Sequence, residues 1–295
     1  MGDRTAAGRM SDSPQERILA WYRAQGRDLP WRRTRDPYRI LVAEVMLQQT
    51  QVERVLPKYM EWLVAFPTLT ALAEAPTAEV IRRWAPLGYN SRAVRLQRIA
   101  RQCVERYGGQ MPGSFEELLA LKGVGRYTAG AIACFAREQQ VTFWDTNVRR
   151  VLTRVFLGQE AEPTEGELEA LAAQALPGGE AYAWHQALMD LGATICTSRA
   201  PRCHVCPAAP VCRAYPVRWI VAERRASYKP EPRFETTNRF FRGRVVDALR
   251  ERSPQLLNDL ARRLNRDDLE WLERLVAGLE RDGLVVRRGA EVSLP

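Results

Sequence analysis

Four cysteines fall in one short stretch of the chain, with the spacing C-x6-C-x2-C-x5-C: Cys196, Cys203, Cys206 and Cys212. Four soft thiolates this close together suit either a tetrahedral zinc ion or an iron–sulfur cluster. Zinc sites more often pair two C-x2-C hairpins and this stretch has only one, so the spacing favours the cluster over zinc. The remaining cysteines, Cys103 and Cys134, lie in apolar helical patterns and are predicted to be core residues.

Two carboxylates have sequence surroundings that suit catalysis, one as a proton donor and the other as an anion that stabilises a cation. Glu44 lies inside the run ILVAEVML, where burial would raise its pKa and make it a proton donor near neutral pH. The alternative is an exposed residue on the polar face of an amphipathic helix. Asp145 precedes Thr146 and Asn147 and is predicted to cap a helix. It could also stabilise a sugar cation, as carboxylate pairs do in glycoside chemistry, and the two roles are compatible.

The stretch from Leu118 to Arg150 contains two apolar-periodic segments joined by Gly123, Val124 and Gly125. Close glycines let backbone N–H groups approach an anion, and the following helix N-terminus adds its positive dipole end. One interpretation is a helix-hairpin-helix that grips a nucleic-acid backbone. The other is an ordinary helical hairpin with a glycine turn.

Composition narrows the function classes. The 295 residues include 44 Lys and Arg against 35 Asp and Glu, a net charge of +9 that favours polyanionic partners. No apolar run is long enough for a membrane span, and the first residues lack the apolar core of a signal peptide. We therefore expect a cytoplasmic, nucleoid-associated protein of prokaryotic type, in which six cysteines would not form a disulfide framework.

The elements that must position these residues are helical, with almost no strand signal before residue 239. The segment 239–295 reads as three helices and a short hairpin, which predicts a small winged-helix-like module. Its third helix is acidic and would repel phosphate, which favours a packing or protein-contact role over DNA binding. The remaining predictions are a disordered tail over 1–13, a linker over 216–238, and helices over 14–24, 38–59, 146–157, 165–176 and 181–196.

Several blocks together carry a family resemblance: LPWR at 29–32, DPYRILVAEVMLQQTQV at 36–52, LGYNSRA at 87–93, LKGVGRYTAGA at 121–131, DTNVRRVL at 145–152 and the cysteine loop. Over about 15–215 the chain resembles the helix-hairpin-helix DNA glycosylases of the endonuclease III/MutY superfamily. Within them it is most similar to MutY-type adenine DNA glycosylases.

The resemblance implies an all-α, two-lobed fold over 14–215, with a six-helix lobe at about 33–140 and a cluster lobe formed by 14–32 and 141–215. It also implies a 4Fe–4S cluster on the four cysteines. The expected partner is double-stranded DNA with a mismatched or damaged base, which would be flipped out of the duplex. The protein is expected to act as a monomer.

Site roles follow from the same resemblance. Glu44 matches the general acid, Asp145 the residue that stabilises the oxocarbenium ion, and Asn147 an active-site amide. Tyr127 stands where bifunctional relatives place a lysine nucleophile, so water would complete the reaction. The predicted DNA- and base-binding residues are Trp31, Arg32, Leu47, Gln48, Gln49, Thr50, Leu87, Tyr89, Lys122, Gly123, Gly125, Arg126 and Gln186.

The resulting prediction is a monofunctional glycosylase that removes adenine opposite 8-oxoguanine or guanine. Three departures bear on it: Thr146 replaces the family's usual glycine, Trp144 is unusually bulky, and the last 60 or so residues are too short and helical for the Nudix-like domain that recognises 8-oxoguanine. Two alternatives therefore stay open. One is a mismatch thymine or uracil glycosylase, and the other is a non-catalytic protein that binds DNA lesions.

Overall fold

A computed structural model describes residues 13–217 and 233–295. Residues 1–12 and 218–232, which hold nearly all of the predicted tail and most of the predicted linker, lie outside the described residues. The chain divides into two compact units: unit 1 comprises 1–35 and 126–223, and unit 2 comprises 36–125 and 224–295. Within the described ranges no helix is both long and apolar enough to cross a membrane.

In its described part, unit 1 is built from helices whose apolar faces share one core. Leu188 and Leu191 of the longest helix pack with Ile18 and Val148, all at 0% exposure. The α-helices of unit 1 are α1 (Pro14–Gln25), α8 (Arg126–Arg137), α9 (Thr146–Leu152), α10 (Glu165–Ala175) and α11 (Ala181–Thr194). A π-helical turn, Thr153–Leu157, continues α9, and short 3₁₀ turns occur at Pro30–Arg32, Cys203–Val205 and Ala209–Val211.

Local signals explain where these helices begin. The Ser13 hydroxyl accepts a hydrogen bond from the Glu16 N–H, and Pro14 takes the first helical position, as the sequence predicted. Thr164 and Glu167 form a capping box at the start of α10. These caps satisfy N–H groups that have no partner inside the helix.

Unit 2 surrounds a core of large aromatic and aliphatic side chains, in which the rings of Trp62 and Trp84 meet edge to face. A buried helix, α2, supplies much of this core, and Asp36 caps it by accepting from the Tyr38 N–H at 2.8 Å. The helices of this part are α2 (Pro37–Leu47), α3 (Val52–Ala65), α4 (Leu69–Glu74), α5 (Thr77–Trp84), α6 (Ser91–Tyr107) and α7 (Phe115–Leu119).

The C-terminal module also belongs to unit 2. It consists of α12 (Asn238–Glu251), β1 (Gln255–Leu256), α13 (Leu257–Leu264), α14 (Leu269–Arg281), β2 (Val286–Arg288) and β3 (Glu291–Ser293). The strands form an antiparallel sheet in the order β1-β3-β2, with Gln255 opposite Val292 and Arg287 also opposite Val292. The three helices and the hairpin agree with the prediction, whereas β1 was not predicted, because two residues are too few for an alternating pattern.

The module packs against the rest of unit 2. Its core is continuous with Ile81 of α5 and Val94 of α6. Arg250 donates to the Ile81 carbonyl at 2.9 and 3.1 Å and to the Asn90 side chain at 2.8 Å. The N–H of Ala78 donates to the C-terminal residue's carbonyl at 3.1 Å. The module is thus packed on the rest of unit 2, and the predicted all-helical fold class is confirmed.

Candidate active site

Asp145 is half-buried at the N-terminus of α9. One carboxylate oxygen accepts from the N–H groups of Asn147 and Val148 at 2.9 and 2.8 Å. The other accepts from the Asn147 side-chain amide at 3.1 Å. The predicted cap is therefore present, and it holds a carboxylate in one orientation at the positive end of a helix.

Asn147 is itself held in place. Arg150 donates to its amide oxygen at 2.7 Å and to the Gly192 carbonyl at 2.8 Å. Gly192 of α11 leaves the space for this contact, because a Cβ there would lie 2.8 Å from the Asn147 Cβ. A chain of contacts from α11 through Arg150 and Asn147 thus orients Asp145.

The segment before Asp145 is anchored by ring packing. Phe143 stacks on His185 at 3.9 Å between ring centroids and meets the Tyr127 ring edge to face at 5.6 Å. Gly130 accommodates Phe143, since a Cβ on it would approach that side chain to 2.6 Å. Burial lowers the pKa of His185 to about 4, so its ring is neutral at physiological pH and bonds to the Val141 carbonyl at 3.0 Å.

The remaining predicted base contacts of unit 1 are buried. Trp31 lies in the 3₁₀ turn Pro30–Arg32, and Gln186 lies on α11, next to His185. Arg32 forms two hydrogen bonds, at 2.7 and 2.8 Å, with Asp190, whose side chain is 1% exposed. Because both terminal nitrogens of Arg32 bond to this carboxylate, the geometry gives Arg32 a positioning role rather than a free contact with a base.

The four cysteines of the predicted cluster line one pocket of unit 1. Burial, together with the neighbouring cysteines, raises the pKa of Cys206 to about 11. The guanidinium of Arg154 lies 3.6 Å from the Cys196 sulfur. In residues 13–217 and 233–295 no group of three or more His, Cys, Asp or Glu side chains is arranged to hold a single metal ion. Four thiols around a shared pocket are the kind of donor set that holds an iron–sulfur cluster or a zinc ion.

In unit 2, Glu44 lies on α2 and is 6% exposed, with Ala43 and Val45 beside it at 1%. Its burial excludes the interpretation of Glu44 as a solvent-facing residue. A carboxyl group in such surroundings needs protein partners or a proton to offset its desolvation. The arrangement provides a carboxyl group suited to proton transfer.

Most of the residues of unit 2 that the sequence predicted to contact DNA lie at two loops, 47–50 and 86–91. Gln49 and Tyr89 have left-handed backbones, with φ of 55° and 44°. Gln49 is exposed, and Tyr89 is 36% exposed. Gln48 and Thr50 instead bond into the protein: Gln48 accepts from Arg95, and the Thr50 hydroxyl accepts from Arg92 at 3.0 Å. Each loop therefore has an exposed side chain at its tip, Gln49 or Tyr89, while Gln48 and Thr50 fix the first loop to the protein.

Arg92 anchors both loops and was not predicted. It bonds to the carbonyls of 45, 46 and 48 at the end of α2, to Thr50, and to the carbonyls of Leu87 and Gly88. Burial, with the charge of Arg95 nearby, lowers its pKa to about 10, so it remains a cation at neutral pH. The sequence could have indicated that Arg92 is buried, because it lies at helical spacing from the apolar residues Leu96 and Ile99 of α6.

On the two loops, Leu47 is half-buried and Leu87 is buried.

The glycine turn lies between α7 and α8. Gly123 has φ of 101°, and a Cβ on it would lie 2.9 Å from Arg95 Cγ. Gln102 of α6 clamps the turn through both the N–H and the carbonyl of Lys122, at 2.9 and 3.0 Å.

Other residues of the turn face outward. Lys122, Gly125 and Arg126 are exposed, and Arg126 forms an ion pair with Glu169. Such an exposed pair is worth little, so it would not prevent Arg126 from binding a phosphate. The turn thus combines accessible backbone and positive charge, as a phosphate site requires.

The chain matches a known family of DNA repair proteins. Residues 42–177 match the family model described as HhH-GPD superfamily base excision DNA repair protein. An adenine DNA glycosylase of Mycolicibacterium smegmatis is 40% identical over 286 residues, which are 94% of this chain and 93% of that relative. The adenine DNA glycosylase of Homo sapiens is 46% identical over 67% of this chain, which corresponds to 38% of the human protein.

Solved structures are similar over the same region. A thermostable thymine-DNA glycosylase is 34% identical with a TM-score of 0.64, over 68% of this chain and 93% of that chain. A trapped endonuclease III–DNA covalent intermediate is 24% identical with a TM-score of 0.60, over 68% of this chain and 92% of that chain. The second likeness supports the fold alone.

Proposed function

Because the chain belongs to the adenine DNA glycosylases of the HhH-GPD superfamily, we propose that it hydrolyses the N-glycosidic bond of adenine mispaired with 8-oxoguanine or guanine. The observation that carries the proposal is a match at 40% identity that spans 93% of a mycobacterial adenine DNA glycosylase. That match covers 94% of this chain and so takes in most of the C-terminal module, and a module of this kind is therefore compatible with adenine as the target.

We assign the two carboxylates to complementary steps. Glu44 donates a proton to the purine ring, a step for which a buried carboxyl group is suited. Asp145 stabilises the positive charge that develops on the sugar as the base departs. Its support is the fixed geometry at the start of α9, where Asn147 and two backbone N–H groups orient the carboxylate.

The reaction ends with water and leaves an abasic site. Tyr127 stands where a lysine would be needed for a covalent intermediate, and a phenol cannot form a Schiff base. Its ring instead packs against Phe143. We therefore propose that the enzyme is monofunctional, with no strand cleavage of its own.

Base extrusion is the proposed task of the two loops. Gln49 and Tyr89 project from strained turns, and side chains inserted at a base step offset part of the few kcal/mol that flipping costs. Lys122, Arg126 and the glycine turn hold a backbone phosphate. The proposed partner is accordingly duplex DNA with a mispaired adenine, bound by one copy of the chain.

We propose that Cys196, Cys203, Cys206 and Cys212 hold a 4Fe–4S cluster, which their shared pocket supports. A bound cluster would fix the fold of this loop and contribute no acid or base to the glycosidic step. The protein's own contribution is the set of thiols and Arg154, whose guanidinium lies beside the Cys196 sulfur.

One experiment tests the function. Purified protein is incubated with duplexes that carry A opposite 8-oxoguanine, A opposite G, T opposite G or U opposite G, and the products are resolved with and without alkali. We expect strand breaks only after alkali and only for the adenine duplexes. Cleavage of the T or U duplexes in preference to adenine would support a mismatch pyrimidine glycosylase instead, and equal nicking without alkali would contradict the monofunctional proposal.

The variant Asp145→Asn separates an enzyme from a binding protein. Asparagine still caps a helix, so the fold and DNA affinity should survive while excision is lost. The matched control is Asp268→Asn, at an exposed aspartate that caps α14. A wild-type protein that binds mispaired DNA and excises no base would favour the non-catalytic alternative.

A further inference from the structure

Unit 2 contains a groove between α12 and loop 86–91, with a volume of about 730 Å³. Its lining includes Gln49, Tyr89, Phe240 of α12, and Phe234, which precedes that helix. Five arginines but only two aspartates contribute to its walls: Arg54, Arg239, Arg242, Arg244 and Arg250, with Asp247 and Asp282. We name this feature the basic groove.

The two aspartates leave the basic groove with excess positive charge, because each of them pairs with one of its five arginines and three arginines remain. Asp282 pairs with Arg242, and Asp247 pairs with Arg250 at 2.7 Å. Among the residues that the structure describes, the three other arginines form no ion pair: Arg54, Arg239 and Arg244. Three guanidinium groups therefore face one groove without a carboxylate in ion-pair contact.

The basic groove is joined to the loop that we propose enters the duplex. The Arg239 guanidinium lies 4.1 Å from the centroid of the Tyr89 ring and 5.5 Å from that of Phe234. Arg54 donates to the carbonyl of Pro86, the first residue of the same loop, at 2.8 Å. Guanidinium groups interleaved with aromatic rings recur in surfaces that follow a nucleic-acid strand.

We propose that the basic groove binds the sugar-phosphate backbone of duplex DNA next to the step at which Tyr89 inserts, and that the C-terminal module is therefore part of the DNA-binding surface. This inference rests on the proposed function of the chain as a DNA glycosylase. It assigns phosphate contacts to Arg239 and Arg244 of α12, which are both exposed.

The module would then approach DNA in an unusual way. The helix that follows α13 is the one that enters the major groove in winged-helix DNA-binding proteins, and here α14 carries Glu270, Glu273 and Glu280. Arg274 and Arg287 already pair with two of these carboxylates. The acidic α14 explains why the sequence favoured a role other than DNA binding, whereas the basic groove is formed by α12 at the junction with loop 86–91.

The test compares binding to a short, undamaged duplex across a salt series. The plot of log K against log salt has a negative slope. In the double variant Arg239→Ala plus Arg244→Ala, the magnitude of this slope should decrease by about 0.9 for each arginine that binds a phosphate. The same relation makes one such arginine worth about eightfold in affinity at 0.1 M salt, so the double variant should bind up to about 60-fold more weakly. The single variant Arg244→Glu, at an exposed site, gives the same readout without removing the stack on Tyr89.

The matched control is Arg262→Ala plus Arg263→Ala, which removes the same charge from exposed positions on α13. The control should retain the wild-type slope, and thermal melting verifies that each variant is folded. Wild-type slopes in both groove variants, or an equal fall in the control, would overturn the inference. Adenine excision is scored separately on the wild type, so a failure of the proposed function leaves the salt series interpretable.

Discussion

Arg92 is the residue whose replacement we expect to affect both the stability of unit 2 and the handling of DNA. It is 5% exposed and forms six hydrogen bonds, five with backbone carbonyls and one with the Thr50 hydroxyl. Two of its acceptors, the carbonyls of Val45 and Met46, belong to the C-terminal end of α2, where no helical partner exists. The perturbation is Arg92→Met, which keeps an unbranched side chain and removes every donor.

The magnitude follows from two opposing contributions. Six hydrogen bonds to a charged group, at about 1.5 kcal/mol each, would stabilise the fold by about 9 kcal/mol. Burial of the cation opposes this by about 3 kcal/mol, the equivalent of a pKa lowered from 12.5 to about 10. Some carbonyls near the loop tips would rehydrate, so we expect the free energy of unfolding to fall by about 3 kcal/mol, and by no more than about 6.

Urea unfolding measures the loss of stability, and 2-aminopurine placed beside the target base measures extrusion by its fluorescence. Arg92→Lys should give an intermediate loss, because an ammonium group has three donors for six acceptors. Arg98→Met, at an exposed position of the same helix, should change the free energy of unfolding by less than about 0.5 kcal/mol. An Arg92→Met protein that unfolds at the wild-type urea concentration and extrudes the base normally would refute this reasoning.

Three further predictions concern unit 1. Burial holds the pKa of His185 near 4 instead of 6.5. The free energy of unfolding should therefore keep its full value above pH 6.5 and fall by about 3 kcal/mol as the pH drops to 4. His185→Gln should flatten this pH dependence in urea titrations. Asp190→Asn leaves Arg27 and Arg32 without their buried carboxylate, so calorimetry should record a loss of about 3–5 kcal/mol, against a negligible change for the exposed Glu160→Gln. Gly192→Ala places a Cβ 2.8 Å from that of Asn147, and we expect slower adenine excision with about 1–3 kcal/mol less stability, whereas Gly178→Ala, which meets nothing within 4 Å, should not slow excision.

The sequence predicted features that depend on local pattern. The caps at Ser13 and Asp145 follow from side chains that bond to nearby N–H groups, and both are present. The core positions of Cys103 and Cys134 follow from helical periodicity, and both residues are fully buried. In each case the decisive neighbours lie within a few residues along the chain.

Features that depend on distant segments were not predicted. The acceptors of Arg92 come from α2, loop 47–50 and loop 86–91, which are about 40 residues apart in sequence. The role of Asp190 depends on two arginines more than 150 residues away. The basic groove likewise exists only because α12 packs beside loop 86–91. Patterns along one helix identify a polar residue on a core face, but they do not identify its partner.

A single helix, α6, provides the anchors for three segments that we propose contact DNA. Arg92 holds both loops, Arg95 bonds to Gln48 and packs beneath Gly123, and Gln102 clamps the turn at Lys122. Since these side chains are fixed on a rigid helix, the loop tips keep left-handed backbones that would otherwise relax. Substitutions at the tips should therefore change DNA binding alone, whereas substitutions at the anchors should change stability and DNA binding together.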